Sequence, residues 1–132
     1  MGIFLKNMSL KGKTALITGA TKGIGRGAAE AIAESGGDII AIGRNQSELN
    51  SLEKKIKKLK VKYTSFNCDV NNYDKIKSFI TKLKKLDILV NNAGTNIPEN
   101  FLNVKEASLE TILNVNTKAV FNIAQLCANQ II

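Results

Sequence analysis

The chain has 132 residues, 44% hydrophobic and 23% charged, the balance of one globular domain and not of a disordered, collagen-like or Pro-rich segment. It contains no histidine, which excludes Ser-His-Asp and Cys-His catalysis, His-ligated zinc and imidazole acid–base chemistry; no metal site is expected. The formal net charge is +8, and the lysines crowd into residues 54–85, which read as solvated helix faces and not as a nucleic-acid or membrane surface, because Arg is scarce and no aromatics interleave.

From the N-terminus, Met1–Lys6 holds too short an apolar stretch for a secretory leader, and Lys6 breaks the myristoylation pattern that Gly2 would open. No run approaches the ~18 apolar residues of a membrane span. A soluble, cytoplasmic protein is expected, with Cys68 and Cys127 reduced and buried. Thr14–Thr18 is a short apolar strand that ends at Gly19. Ile24–Ser35 is an Ala-rich helix with Ile24, Ala28, Ala29, Ile32 and Ala33 on its apolar face, stopped by Gly36-Gly37. Asp38–Ile42 is a buried strand. Ser47 can cap the next helix, whose apolar residues Leu49, Leu52, Ile56 and Leu59 are spaced by three and four. Val61–Asn67 alternates as a strand. A helix starting at Asn71 or Asn72 carries Ile76, Phe79, Ile80 and Leu83, and Leu86–Val90 is a further buried strand. Asn91–Lys105 is a loop. From Ser108 a long helix presents Leu109, Ile112, Leu113, Asn116, Ala119, Val120, Ile123, Leu126 and Cys127 as one stripe.

Strands alternating with helices imply βαβ units and a parallel sheet. Right-handed crossovers give an α/β, doubly wound, Rossmann-like arrangement with strand order 3-2-1-4. Ligands of such sheets bind beyond the C-terminal strand ends. There the first strand runs into Thr18-Gly19-Ala20-Thr21-Lys22-Gly23-Ile24-Gly25 and directly into a helix. This junction offers unpaired backbone N–H groups and a positive helix end, a seat for pyrophosphate. Gly19, Thr21, Lys22, Gly23, Ile24 and Gly25 are the candidate phosphate-binding residues. The spacing is G-x-x-x-G-x-G, and no Gly-Lys-Ser/Thr follows to make a Walker loop.

The end of the second strand selects the cofactor. A carboxylate there would hold the ribose 2′-OH of NAD, and an arginine would pair with the 2′-phosphate of NADP. Ile42-Gly43-Arg44 has no carboxylate, Arg44 can fork onto a phosphate, and Lys22 adds a second positive charge. The charge logic favours NADP over NAD.

Thr18-Gly19-x-x-x-Gly23-Ile24-Gly25, Cys68-Asp69-Val70, Asn91-Asn92-Ala93-Gly94 and Val115-Asn116, in this order, resemble the short-chain dehydrogenase/reductase family. The stretches after Arg44 and around Asn116 are similar to its 3-oxoacyl-acyl-carrier-protein reductases and its sugar or polyol dehydrogenases. The resemblance implies an NAD(P)-dependent oxidoreductase moving a hydride between NADP(H) and a carbonyl or alcohol substrate. It gives Asp69 the adenine amino group and the Val70 N–H a ring nitrogen. The Asn91-Asn92-Ala93-Gly94 turn would brace the sheet end and line the ribose, with Asn91, Ala93 and Gly94 as its cofactor-binding residues, and Asn116 would be a catalytic-site residue holding a water in a proton relay. Read from the residues alone, Asn116 on an apolar stripe is equally a satisfied core asparagine.

The resemblance implies a complete member of about 250 residues, within the range of a single domain. The 132 residues are therefore expected to be an NADP-binding Rossmann-like unit, the N-terminal part of a longer domain and incomplete at the C-terminus. They would lack the family's Tyr-x-x-x-Lys and be inactive alone. Tyr73-x-x-x-Lys77 matches in letters but lies between the third and fourth strands. A homo-tetramer is expected of the complete protein. The alternative reading is a non-catalytic nucleotide-binding module complete at this length.

Overall fold

The structure is a computed structural model that describes residues 8–132; the reading of Met1–Lys6 lies outside them. The elements are β1 (Thr14–Thr18), α1 (Gly23–Glu34), β2 (Asp38–Gly43), α2 (Gln46–Lys57), β3 (Tyr63–Asn67), α3 (Tyr73–Ile80), β4 (Ile88–Val90), a 3-10 turn (Phe101–Asn103), α4 (Glu106–Leu113), a π-helical segment (Asn114–Ala119) and α5 (Val120–Ile131). The sheet is parallel with order β3-β2-β1-β4, the doubly wound order that the alternation of elements predicts.

Apolar residues fill both faces of β1 and β2, as a sheet covered on both sides requires. On one side Ala15, Ile17, Ile39 and Ala41 meet Ala29 and Ala33 of α1 and Leu49, Leu52 and Ile56 of α2. On the other, Leu16, Ile40 and Ile42 meet Ile76 and Ile80 of α3 and Ile123, Leu126 and Cys127 of α5. Each fully buried Leu or Ile in these layers stabilises the fold by about 1.5–3 kcal/mol relative to exposure. Two helices on each face leave the C-terminal strand ends clear, which is where the cleft lies.

Several boundaries differ from the sequence reading, each for a local reason. The cap of α2 is Asn45, whose side chain accepts from the Glu48 N–H at 3.1 Å; Ser47 instead donates to Asn45 Oδ1 at 2.7 Å. Leu59 falls past the end of α2 and is exposed. Ile24 opens α1 and points away from the sheet, 86% exposed. β3 starts at Tyr63 and not Val61, because the Lys62 N–H goes to Asp38 Oδ1 at 2.8 Å. β4 starts at Ile88 and not Leu86: Asp87 closes onto Thr14 with its carboxylate as well as its N–H. Asn72 caps α3. The final helix begins at Glu106, before Ser108, and is broken into α4, π and α5. Leu109 and Leu113 are exposed on α4, so the predicted continuous apolar stripe is buried only from Ala119 onward. The Lys54–Lys85 lysines are all exposed, as expected of solvated faces.

Candidate functional site

A cleft of about 700 Å³ opens at the C-terminal end of the sheet. Of the sequence-predicted residues it brings together Gly19, Thr21, Lys22, Arg44, Asp69, Val70, Ala93 and Gly94. Gly23, Ile24, Gly25, Asn91 and Asn116 do not line it.

The glycine turn is built by two opposite demands on space. Gly19 has φ +63°, and a β-carbon there would lie 2.9 Å from Asn92 Nδ2. At Gly25 a β-carbon would come within 2.3 Å of the Gly19 carbonyl oxygen, so this glycine lets α1 pack against the end of β1. Gly23 also has positive φ, +57°, but faces open space. The first α-helical backbone bond is Arg26 N–H to the Lys22 carbonyl oxygen at 3.3 Å. The N–H groups of Gly23, Ile24 and Gly25 precede it, and Lys22 supplies no side-chain cap. An uncapped helix start of this kind carries partial positive charge and donors that an anion can satisfy.

Thr18 and Asn92 hold this turn to its neighbours. Thr18 Oγ1 accepts from the N–H groups of Asn92 at 3.0 Å and Ala93 at 2.9 Å. Asn92 Nδ2 donates to the carbonyl oxygens of Thr18 at 3.1 Å and Gly19 at 3.2 Å. The bracing expected of the Asn91–Gly94 turn is thus done by Asn92 and Thr18, whereas Asn91 donates to the Val120 carbonyl oxygen at 2.9 Å and anchors α5. Gly43 is needed as well: a β-carbon there would strike the Thr21 methyl at 2.4 Å, so its absence lets the loop lie on the end of β2.

Across the cleft stand Arg44, Asn45 and Glu48 at the start of α2. Among the described residues, neither Arg44 nor Lys22 is in an ion pair, and both are exposed. Glu48 is a carboxylate near the second strand that the three residues Ile42–Arg44 could not reveal. Asp69 accepts from the Asn71 N–H at 2.8 Å through Oδ1, which turns the chain after β3 and keeps the carboxylate at the cleft. The Cys68 thiol donates to the Asp69 carbonyl oxygen at 3.3 Å, and burial pushes its pKa up.

Asn116 is exposed and not in the core. Its amide forms a two-point clamp on Thr95, accepting from the N–H and donating to the carbonyl oxygen, each at 2.8 Å. The clamp sits in the π segment, a type of helix distortion frequent at functional sites. It pins the loop after β4, with Gly94 close under Asn116 Oδ1. Tyr73 and Lys77 lie outside the cleft lining; the Lys77 ammonium sits 5.9 Å above the Tyr73 ring as an exposed surface pair on α3.

A profile of the short chain dehydrogenase family matches residues 13–132. The chain belongs to that family. It is 36% identical over 123 residues to a 3-oxoacyl-acyl-carrier-protein reductase of Thermotoga maritima, covering 90% of this chain and 50% of the relative. It is 36% identical over 135 residues to a 2-dehydro-3-deoxy-D-gluconate 5-dehydrogenase of Bacillus subtilis, covering 100% of this chain and 53% of that one. Among solved structures, a 7α-hydroxysteroid dehydrogenase complexed with NADH and 7-oxo glycochenodeoxycholic acid superposes with TM-score 0.89 at 30% identity, over 98% of this chain and 52% of that one. L-sorbose reductase of Gluconobacter frateurii, complexed with NADPH and L-sorbose, gives TM-score 0.87 at 26% identity, over 94% and 49%. The chain spans about half the length of the curated relatives it matches. This short-chain dehydrogenase chain is therefore α/β and Rossmann-like by sequence, topology and superposition alike. Among the described residues, no helix is long and apolar enough to cross a membrane.

Proposed function

We propose that the chain binds NADP(H) in the cleft and serves a short-chain dehydrogenase/reductase that acts on a small carbonyl or alcohol substrate. The observation that carries the reading is one cleft lined both by Lys22, which directly precedes the uncapped start of α1, and by Arg44. The residues fit the cofactor. The N–H groups of Gly23, Ile24 and Gly25, with Lys22, would neutralise the diphosphate. Arg44 would fork onto the 2′-phosphate, and Asp69 and Val70 would meet the adenine edge. Ala93 and Gly94 would lie along the ribose beside the sheet end that Asn92 braces. When bound, the nicotinamide supplies or accepts hydride. Asn91 and Asn116 contribute by holding α5 and the loop around Thr95. Asn116 has donor and acceptor capacity left beyond the Thr95 clamp with which to hold a water.

NADP is preferred to NAD because Arg44 is in no ion pair among the described residues, although Glu48 stands on the same wall. The unit 1–132 is taken as the cofactor-binding part of a larger domain, cytoplasmic, with homo-tetramers formed by the complete protein. The 132 residues alone do not turn over substrate, since their one Tyr-x-x-x-Lys pattern lies on α3 outside the cleft. Calorimetric titration tests the reading. NADPH is expected to bind more tightly than NADH, and Arg44→Ala to weaken NADPH by about 1.5–3 kcal/mol, roughly ten- to a hundredfold, while sparing NADH. No heat with either dinucleotide on folded chain would overturn it.

A further inference from the structure

Arg26, the chain's other arginine, does not line the cleft, yet its guanidinium touches three separate pieces of the structure that make it. Nε donates to Glu30 Oε1 at 3.1 Å, one turn further along α1. Nη1 donates to the Thr21 carbonyl oxygen at 3.4 Å, in the glycine turn. Nη2 donates to Ser51 Oγ at 3.3 Å, on α2. A second tie doubles the bridge between the helices: Lys55 of α2 donates to Glu30 Oε2 at 2.6 Å. The Arg26 and Glu30 side chains are 26% and 19% exposed, so their mutual contact is less screened than an ordinary surface pair, while the legs to Ser51 and from Lys55 are exposed.

The two walls of the cleft belong to different elements. One is the loop leading into α1; the other, with Arg44, Asn45 and Glu48, is the start of α2. Thr21 is held on one side by its methyl against Gly43 and on the other by Arg26 at its carbonyl oxygen. We propose that Arg26 is a positioning residue that sets the separation of the two walls, so that one dinucleotide reaches the glycine turn and Arg44 together. A ligand spanning two subsites gains affinity only when their spacing matches its own length. Lysine cannot substitute, because an ammonium lacks the planar fork that serves three acceptors in fixed directions.

The inference rests on the dinucleotide reading and is tested with two probes on the 132-residue chain. NADPH spans both walls; adenosine 2′-monophosphate needs Arg44 and the adenine edge at Asp69 and Val70 but not the glycine turn. Arg26→Gln is expected to weaken NADPH by about tenfold or more and to leave adenosine 2′-monophosphate within about twofold. Ser51→Ala, which cuts only the α2 leg, is expected to show a smaller loss of the same pattern. A parallel loss for both probes, or no loss for either, would overturn the proposal. If circular dichroism shows Arg26→Gln unfolded, Arg26→Lys and Ser51→Ala decide by the same comparison. A wild-type chain that binds adenosine 2′-monophosphate but not NADPH contradicts the spacing already present; one that binds neither contradicts the dinucleotide reading itself.

Discussion

Two glycines two residues apart in α1 carry opposite expectations. At Gly25 a β-carbon would meet the Gly19 carbonyl oxygen, which is backbone, at 2.3 Å, and at 2.4 Å the Asn92 Nδ2 that hydrogen bonds to Thr18 and Gly19 hold in place. Gly25→Ala is expected to destabilise by about 1–3 kcal/mol through the forced separation of α1 from the end of β1. Gly27 is exposed within the same helix and has nothing within 4 Å. Gly27→Ala is expected to stabilise by about 0.5–1 kcal/mol, because alanine loses less backbone entropy in a helix. Urea midpoints moving in opposite directions would confirm the pair; a common direction would contradict the geometry. At this scale the glycine pattern, Arg44 and Asp69 were legible because each sits at a strand end that the hydrophobic pattern locates. The bracing by the Asn91–Gly94 turn was legible as well, whereas Thr18 and Gly43 were not. Their partners are far away in the chain, and no local spacing announces a hydroxyl that accepts two N–H groups from the loop after β4.

Among elements, the start of α2 separates two candidate caps. The Asn45 side chain accepts the Glu48 N–H, while Ser47 only donates to that same oxygen. Asn45→Ala is expected to cost about 1 kcal/mol and Ser47→Ala only a few tenths, read by thermal unfolding. Equal losses would favour Ser47 as the working cap. The bridge from α1 to α2 adds a pH dependence. The hydrogen bond from Lys55 holds the Glu30 carboxyl below its ordinary pKa, assisted by Arg26 and opposed by partial burial. A carboxyl with a depressed folded-state pKa stabilises above its unfolded value and loses that contribution as pH falls through the folded value. Glu30→Gln is therefore expected to be less stable than wild type at neutral pH, with the gap closing in acid below the usual glutamate range. A gap independent of pH would contradict the ion-pair origin. Strand order followed from the alternation of strands and helices, and apolar spacing found the buried Ala29 and Ala33 of α1, Leu49, Leu52 and Ile56 of α2 and Ile76 and Ile80 of α3, though not the exposure of Ile24 and Leu59. The division of the last helix did not follow, because Leu109, Ile112, Leu113 and Ile123 fit one continuous α-period until six residues adopt π geometry around Asn116.

The whole molecule leaves apolar surface uncovered on one side. Phe101 and Leu102 of the 3-10 turn are 89% and 86% exposed, Phe121 is 65% exposed, and Leu109 and Leu113 are about half exposed. Among the described residues β4 pairs only with β1, so the other backbone edge of this three-residue strand has no sheet neighbour. The opposite edge is protected differently: β3 is flanked by lysine-rich helices, and its Phe66 stacks on Phe79 at 4.3 Å. The contrast matters because lysines on the flanking helices oppose the approach of a second, equally basic chain, whereas a free edge with apolar side chains exposed nearby invites it. Leu109 and Leu113 are four residues apart and share one face of α4, which lets two copies bury both at once. The isolated chain is thus expected to sediment as a dimer or larger species, and Leu109→Ser with Leu113→Ser to shift it toward monomer. The lysine faces supply a control. Charge reversal at Lys54 and Lys58 is expected to leave the sedimentation pattern unchanged, because Lys54 lies on α2 and Lys58 caps its C-terminal end, and α2 covers the other face of the sheet. A wild-type chain that stays monomeric at high concentration would mean that the uncovered side needs no partner. Equal dissociation by the serine and the charge-reversal variants would move the contact away from α4.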